Sequence, residues 1–487
     1  MKILAIESSC DETAAAILEG PGIFPPSAQT IHTANNIIDE ITPSDLHLLS
    51  NVVVSQIDIF AAYGGVIPEV TARSHLEVIL PVIHQALLEA GITKYSTDFL
   101  AHNPTLQTKI PPHASLDNDI DAIAVTYAPG LLGSLLVGTL TTRTLAILWD
   151  KPLYAVHHLK SHLYANWLPT SSLSNLENIK TTKDNKVKTA ATGNTSIIGL
   201  SAGWTGSEPR EHQRIGEERS TKSRVEVLPV APIFPLLSLV ISGGHTQIIY
   251  MPAHNQFEII GTTRDDAVGE CFDKVAKILG LPYPGGPSIA QCAKNGDPHA
   301  YKLPHPKIPN LDFSFSGLKT AVLRAVQKDC GLPITTPSYE LQNHLSSIQK
   351  ANFAASFQDT ACDILLEKLE NALQAHPEAL SLVFAGGVSA NQVLREKALK
   401  RFTNGLKTQI SHKHNPKKHA KTTKILSNPT QTVKLPTLAA PRLFFPNPKF
   451  TGDNAAMVAT AAYYEILSGV QSTNPYDLDI APRIDIH

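Results

Sequence analysis

Two short apolar runs, Ile3–Ile6 and Ala14–Leu18, flank the polar turn Glu7-Ser-Ser-Cys-Asp-Glu-Thr13, and near the middle of the chain the arrangement returns. There Leu236–Ile241 and Thr246–Met251 flank Ser242-Gly-Gly-His245. Runs of this length bounded by turn residues read as buried β-hairpins with functional groups at their tips. Two similar openings imply a duplicated α/β fold with a cleft between its halves, or a chance likeness of two hairpins; periodicity does not separate the two. The 487 residues leave room for two or three domains at roughly 100–200 residues each.

The rest of the pattern alternates strands and helices. Asp121–Tyr127, Pro152–Val156 and Ser381–Ala385 read as strands, and Ser134–Leu148 and Ala455–Leu467 as helices. Leu76, Ile79, Leu80, Ile83 and Leu87 keep helical spacing, which Pro81 is expected to kink or to delay. Three stretches break the alternation and read as surface insertions: 95–119, the polar 169–230, and 401–438. The last has eight Lys or Arg and no acid from Arg401 to Leu438. The domains expected are an N-terminal lobe over 1–168 plus 442–487, the polar insertion, and a second lobe over 231–441 that contains the basic insertion.

Composition narrows the class. With 43% hydrophobic and 17% charged residues the chain is globular, and a net charge of −2 means that any nucleic-acid binding needs a local basic patch. Five cysteines without a CxxC pair speak against a disulfide framework or a zinc ribbon and fit a reducing cytoplasm. Glu7 follows the first apolar residues too soon for a signal peptide, and no apolar run is expected to reach the ~18–20 residues of a membrane span.

His158-Leu-Lys-Ser-His162 follows a strand, and its i,i+4 spacing puts two imidazoles on one helical face, where they can chelate a divalent metal. Leu159 stands where the HExxH metallopeptidases carry their glutamate base. A third ligand must come from elsewhere; Asp453, just before a helical run, is the candidate, with a helix N-cap as the plainer role. Gly243-Gly244 and Gly386-Gly387 are tight turns at strand ends, able to present backbone N–H groups to phosphate or to serve the fold alone. Asp265-Asp266 and Asp273, followed by Pro284-Gly-Gly-Pro287, add carboxylates and another turn.

Taken together, the segments Ile6-Glu-Ser-Ser-Cys-Asp-Glu-Thr13, Tyr63-Gly-Gly-Val-Ile-Pro-Glu69, Gly130-Leu-Leu-Gly-Ser-Leu-Leu-Val-Gly138, His157-His-Leu-Lys-Ser-His162, Ser242-Gly-Gly-His-Thr-Gln247, Gly269-Glu-Cys-Phe-Asp-Lys274, Phe313-Ser-Phe-Ser-Gly-Leu-Lys319 and Ala385-Gly-Gly-Val388 resemble the TsaD (Gcp/Kae/Qri) family. The resemblance implies an actin-like, sugar-kinase-like (ASKHA) fold of two RNase-H-type lobes around a central cleft. It implies transfer of threonylcarbamoyl from threonylcarbamoyl-AMP to N6 of adenosine-37 in tRNAs reading codons that start with adenine. The family's metal ligands fall on His158, His162 and Asp453, for one divalent metal per subunit, iron(II) foremost with zinc or magnesium as alternatives. Its substrate-binding positions fall on Val240, Ile241, Ser242, Gly243, Gly244, Asp273, Gly286 and Asn391. The implied partners are tRNA, TsaB and TsaE homologues, and TsaC as supplier of the adenylate, with no membrane.

Attack by a weakly nucleophilic adenine amine calls for a carboxylate base, and Asp11 or Glu12 at the first hairpin tip is the candidate. The chain departs from the family at Lys160-Ser161, where Glu-Gly is usual, at Ala128, at Thr451-Gly452 and at Arg264. Lys160 is expected to add positive charge near the metal. Two other classes compete: a metallopeptidase built on the histidine pair, and a nucleotide-binding regulatory module that needs only the glycine turns.

Overall fold

The computed structural model describes residues 1–22, 42–61, 63–92, 119–168, 231–404 and 440–486. The polar insertion 169–230, nearly all of 95–119 and all of the basic insertion beyond residue 404 lie outside them.

The first hairpin is β1 (Lys2–Glu7) and β2 (Glu12–Glu19), and β3 (His47–Ser55) adds to it antiparallel. On the other side of β1 lie β4 (Ala122–Ala128) and β5 (Leu153–His157), both parallel, giving the order β3-β2-β1-β4-β5. The second hairpin is β6 (Leu236–Ile241) and β7 (Thr246–Met251), extended antiparallel by β8 (Glu258–Thr262). Its parallel side is β9 (Ser381–Ala385) and β10 (Arg442–Phe444), so the order β8-β7-β6-β9-β10 repeats the first sheet strand for strand, directions included. Two sheets with one strand order and one set of directions are what a duplicated α/β arrangement would give. β10 also moves a boundary: Arg442–Phe444, assigned from the sequence to the returning N-terminal lobe, pairs with β9 in the second sheet.

Central strands explain themselves. β6 is apolar except for Ser238 and is buried along its whole length, as a strand covered on both faces should be. Each Leu or Ile so buried contributes about 1.5–3 kcal/mol. The helices α1 (Pro68–Glu89) and α2 (Leu132–Trp149) cover the first sheet together with α9 (Ala455–Leu467), all of whose residues are buried. Pro68 starts α1 at its first turn, where a missing N–H costs nothing. The helix then continues through Pro81 rather than beginning after it. Pro81 and Glu77, whose carbonyl loses its partner, both face outward, so water can replace the missing donor. One expectation fails in part: α2, at 18 residues, is long and apolar enough to cross a membrane by length and composition. Its buried residues, Leu135, Val137, Leu145 and Ala146 among them, instead pack into the core of the first sheet.

The second sheet is covered by α4 (Val268–Leu279), α5 (Gly285–Ala293), α6 (Ser316–Asp329) and α7 (Ser347–Ala375), with α8 (Gln392–Leu399) after β9. A short helix, α3 (His158–Tyr164), sits between the two halves and touches β5, β6, β9 and α9.

Candidate metal centre and substrate cleft

β5 ends at His157, and the chain turns at once into α3. The Leu159 amide donates to His157 Nδ1 at 3.3 Å, so His157 caps the helix that carries the next two imidazoles. Helical spacing then sets His158 and His162 side by side, ring centroids 4.6 Å apart and 78° between planes. Asp453 reaches them from the loop before α9, its Oδ1 3.1 Å from His162 Nε2 and 3.5 Å from His158 Nε2. The N-cap of α9 is the neighbour, Asn454, whose Oδ1 accepts from Met457 N at 3.1 Å. Asp453 is thereby released from the capping role that sequence alone leaves open.

One donor atom each from His158, His162 and Asp453 lies within 4.8 Å of the others, the one such cluster among the described residues. Both ring nitrogens of His162 are buried without a hydrogen bond, because the short approach of Asp453 is off the line of an N–H donor. An orphaned imidazole beside a second imidazole and a carboxylate is a donor set suited to a divalent ion with positions left open.

Behind the cluster lies Glu7, fully buried at the end of β1. Its Oε2 stands 3.2 Å from His158 Nδ1 and accepts from Thr126 Oγ1 at 2.6 Å, while Oε1 accepts from Ser9 N at 2.5 Å. Ser9 Oγ is also 3.1 Å from His158 Nδ1. A carboxylate on Nδ1 fixes the ring and leaves Nε2 for a metal. Burial opposes charge on His158, but Asp453 and Glu7 outweigh it and hold the imidazole up to about 9. Asp453 is held down to about 2: burial would raise it, and His158, His162 and His245 overcome that. His245, at the second hairpin tip, is driven down to about 4 by burial and then by the facing histidines, so it is neutral.

The first hairpin tip divides its two acids. Burial, with Asp453 and Asp11 nearby, pushes the Glu12 carboxyl up to about 10. Burial raises both the Asp273 carboxyl and the Tyr283 phenol, and neighbouring Asp11 adds to both shifts, which places Asp11 at the same cleft. Across from it, Val240 and Ile241 are wholly buried within β6, with backbones paired into the sheet, so they present no side chain to a ligand. Ser242 Oγ accepts from His245 N at 3.2 Å and shapes the turn. Gly243, Gly244, Gly286 and Gly387 border open space, where a side chain would intrude on nothing but a ligand. Gly386 is different: its φ of +83° and the carbonyl of Ile241 against its Cα require glycine for the fold itself. Asp273 Oδ1 accepts from Gly285 N at 2.6 Å, and burial raises its carboxyl to about 6. Asn391 caps α8 through Leu394 N at 3.2 Å and donates to Gln358 Oε1 at 2.9 Å.

Comparison with known proteins agrees with these motifs. The family model described as TsaD, tRNA N6-adenosine threonylcarbamoyltransferase, matches residues 47–102, 112–175 and 224–413. The chain belongs to the TsaD family. A tRNA N6-adenosine threonylcarbamoyltransferase of Symbiobacterium thermophilum is 36% identical over 98% of this chain and 94% of its own length. One from a Synechococcus strain is 34% identical over 100% of this chain and 93% of its own. A solved structure titled YeaZ from Pseudomonas aeruginosa aligns at a TM-score of 0.18, with 16% identity over 34% of this chain and 46% of that one.

Within the TsaD framework, two features were not named as site residues from sequence. Glu7 lay in the quoted motif, but only the tertiary pairing of β1 with β4 brings it to His158 through Thr126. His245 sat in the quoted Ser-Gly-Gly-His turn, and the hairpin carries it toward the histidine pair. The departure at Lys160 proves local: its Nζ pairs with Glu465 at 3.0 Å and lies 5.0 Å from the Phe257 ring centre. Arg401, counted in the basic insertion, is committed to Glu370 at 2.7 Å.

Proposed function

We propose that this TsaD-family chain transfers the threonylcarbamoyl group of threonylcarbamoyl-AMP to N6 of adenosine-37 in tRNAs reading codons that start with adenine. The observation that carries the reading is the His158–His162–Asp453 cluster beside glycine turns whose backbones face open space. The repeated strand order supports an ASKHA-type fold of two RNase-H-like lobes.

His158, His162 and Asp453 would hold one divalent ion, iron(II) foremost with zinc or magnesium as alternatives. When bound it supplies Lewis-acid polarisation of a carbonyl oxygen. The protein's own work is positioning, since a mixed carboxylic–phosphoric anhydride is already activated. Backbone N–H groups at Gly243, Gly244 and Gly387 receive the adenylate half, with Asp273, Gly286 and Asn391 lining the cleft around it. The adenine N6 attacks the carbamoyl carbon, AMP departs, and Asp11 takes the proton released from N6 as the new bond forms. Glu12, neutral, has one O–H to donate there and does not act as the base.

The reading includes TsaB and TsaE homologues as partners, TsaC as source of the adenylate, and a cytoplasmic setting. Leu76, Leu132, Leu136 and Leu140 form an exposed apolar stripe on α1 and α2, suited to a helical partner such as TsaB. Peptide hydrolysis is the weaker reading because Leu159 stands where the glutamate base is required. The test is tRNA modification from purified threonylcarbamoyl-AMP, with and without TsaB, read by mass spectrometry of the nucleosides. No modified adenosine under either condition would overturn the reading.

A further inference from the structure

His75, on α1, is wholly buried and stands against the first hairpin tip rather than the metal cluster. Its Nε2 lies 2.9 Å from the Cys10 carbonyl oxygen, and its Nδ1 lies 2.7 Å from Thr13 Oγ1 and 3.5 Å from Gln56 Nε2. A carbonyl only accepts, so Nε2 carries the ring hydrogen and Nδ1 accepts from the Thr13 hydroxyl. Burial holds the imidazole below its ordinary range, which keeps the ring neutral and this tautomer in place.

The tip between β1 and β2 is held carbonyl by carbonyl. Ser9 O accepts from Leu131 N at 2.8 Å, Cys10 O from His75 Nε2, and Asp11 O from Gln56 N at 3.0 Å. Two of these donors are backbone amides, fixed by the start of α2 and the end of β3. The other is an imidazole, and it holds the carbonyl directly before Asp11. The second hairpin tip is fastened by amides at the start of α4: Ser242 O accepts from Gly269 N at 3.2 Å and Thr246 Oγ1 from Val268 N at 2.9 Å. Closing a tip therefore does not require a histidine, and the difference falls on the tip that carries the acids. The Cys10 carbonyl and the Asp11 nitrogen share one planar peptide, so a shift of that carbonyl turns the plane and swings the Asp11 side chain with it. We propose that His75 is a positioning residue for the transfer reaction: by fixing the Cys10–Asp11 peptide plane it sets the Asp11 carboxylate where it takes the proton from N6. This rests on the transferase reading with Asp11 as the base.

The test is a double-mutant cycle on the full chain, read as single-turnover transfer from threonylcarbamoyl-AMP to tRNA with TsaB present. Asp11→Asn alone should slow transfer by roughly 100-fold, the low end for general base catalysis. His75→Leu should slow it by about 10–100-fold, the cost of a misplaced catalytic group, while calorimetric affinity for a non-hydrolysable adenylate stays unchanged. Adding Asp11→Asn to His75→Leu should then cost little more, because groups that act as one unit lose their worth together. His75→Gln, whose amide offers one N–H edge and one oxygen in place of the two ring nitrogens, should recover most of the rate. Thr13→Val, which keeps the side-chain shape but no longer steers the ring, should fall between wild type and His75→Leu, and it carries the cycle if His75→Leu does not fold. Additive losses, with Asp11→Asn costing as much in the His75→Leu background as in wild type, overturn the proposal. So does wild-type transfer by either single variant, His75→Leu or Asp11→Asn. A wild type that transfers nothing removes the transferase reading and the proposal with it, whereas additive losses remove the proposal alone.

Discussion

Replacing Glu7 by glutamine tests the metal centre at its most informative point, because it exchanges one carboxylate oxygen for an NH2 group and changes no ligand. In the native protein Glu7 accepts from three donors: Ser9 N at 2.5 Å, Thr126 Oγ1 at 2.6 Å and His158 Nδ1 at 3.2 Å. A glutamine keeps a single acceptor oxygen. With its NH2 toward Ser9 it meets an amide hydrogen that has nowhere else to go. With its NH2 toward His158 it forces the imidazole to present a lone pair at Nδ1, so the proton moves to Nε2, the atom facing Asp453 and His162. Either arrangement weakens the orientation of His158, and a partner of this kind is worth 10–100-fold in metal affinity. That range corresponds to about 1.4–2.7 kcal/mol. The assay is chelator competition with iron(II) or zinc on purified wild type and Glu7→Gln, with circular dichroism to confirm that both are folded. Equal affinities within a factor of two would refute the claim that Glu7 orients the centre.

Asp453→Ala and His162→Ala should each abolish tight metal binding while Tyr164 and the α3 helix stay packed; elemental analysis of the purified variants, beside near-ultraviolet spectra, checks both halves of that statement. Adding metal at a hundredfold excess over its dissociation constant should raise wild-type stability by about 2.7 kcal/mol and leave these two variants unchanged, as thermal melts would record. Gly386→Val and Gly387→Val should separate fold from ligand: the first is expected to destabilise strongly because of its positive φ and the Ile241 carbonyl, the second to melt normally but bind adenylate weakly. Chemical denaturation and calorimetry distinguish them, and normal adenylate binding by Gly387→Val would remove that turn from the site. His254 supplies a pH test. Burial lowers its imidazole to about 3, below its ordinary value, and its ring stacks on Tyr464 at 4.5 Å. As pH falls below the unfolded value near 6.5 only the unfolded chain takes the proton, so stability drops progressively toward about 3. Denaturation midpoints across that window should fall less steeply in His254→Phe.

What could be read from sequence divides along a physical line. Ser381–Ala385, Leu236–Ile241, Thr246–Met251 and Ala455–Leu467 fall on their structural elements residue for residue, because burial imposes a period that one stretch of chain records by itself. The histidine pair was legible for the same reason, since i,i+4 spacing is a property of one helix. Asp453 required the family resemblance, and its separation from the N-cap at Asn454 is a matter of one residue that helix-start signals do not resolve. Glu12 looks from sequence like a solvated hairpin acid; burial in the folded chain, with Asp453 and Asp11 adding to it, is what raises its carboxyl. Val240 and Ile241, which the resemblance makes substrate positions, are wholly buried on β6 with their backbones paired to both neighbouring strands, so no side chain of theirs is open to a ligand. The chain after α9 is the clearest case. Its hold on β4 runs through Ala481 N and the Tyr127 carbonyl, two backbone groups that carry no residue-specific signature at all. A stretch of chain fastened by main-chain contacts of that kind leaves no pattern of its own in the sequence, and its course shows only once the strands beside it are in place.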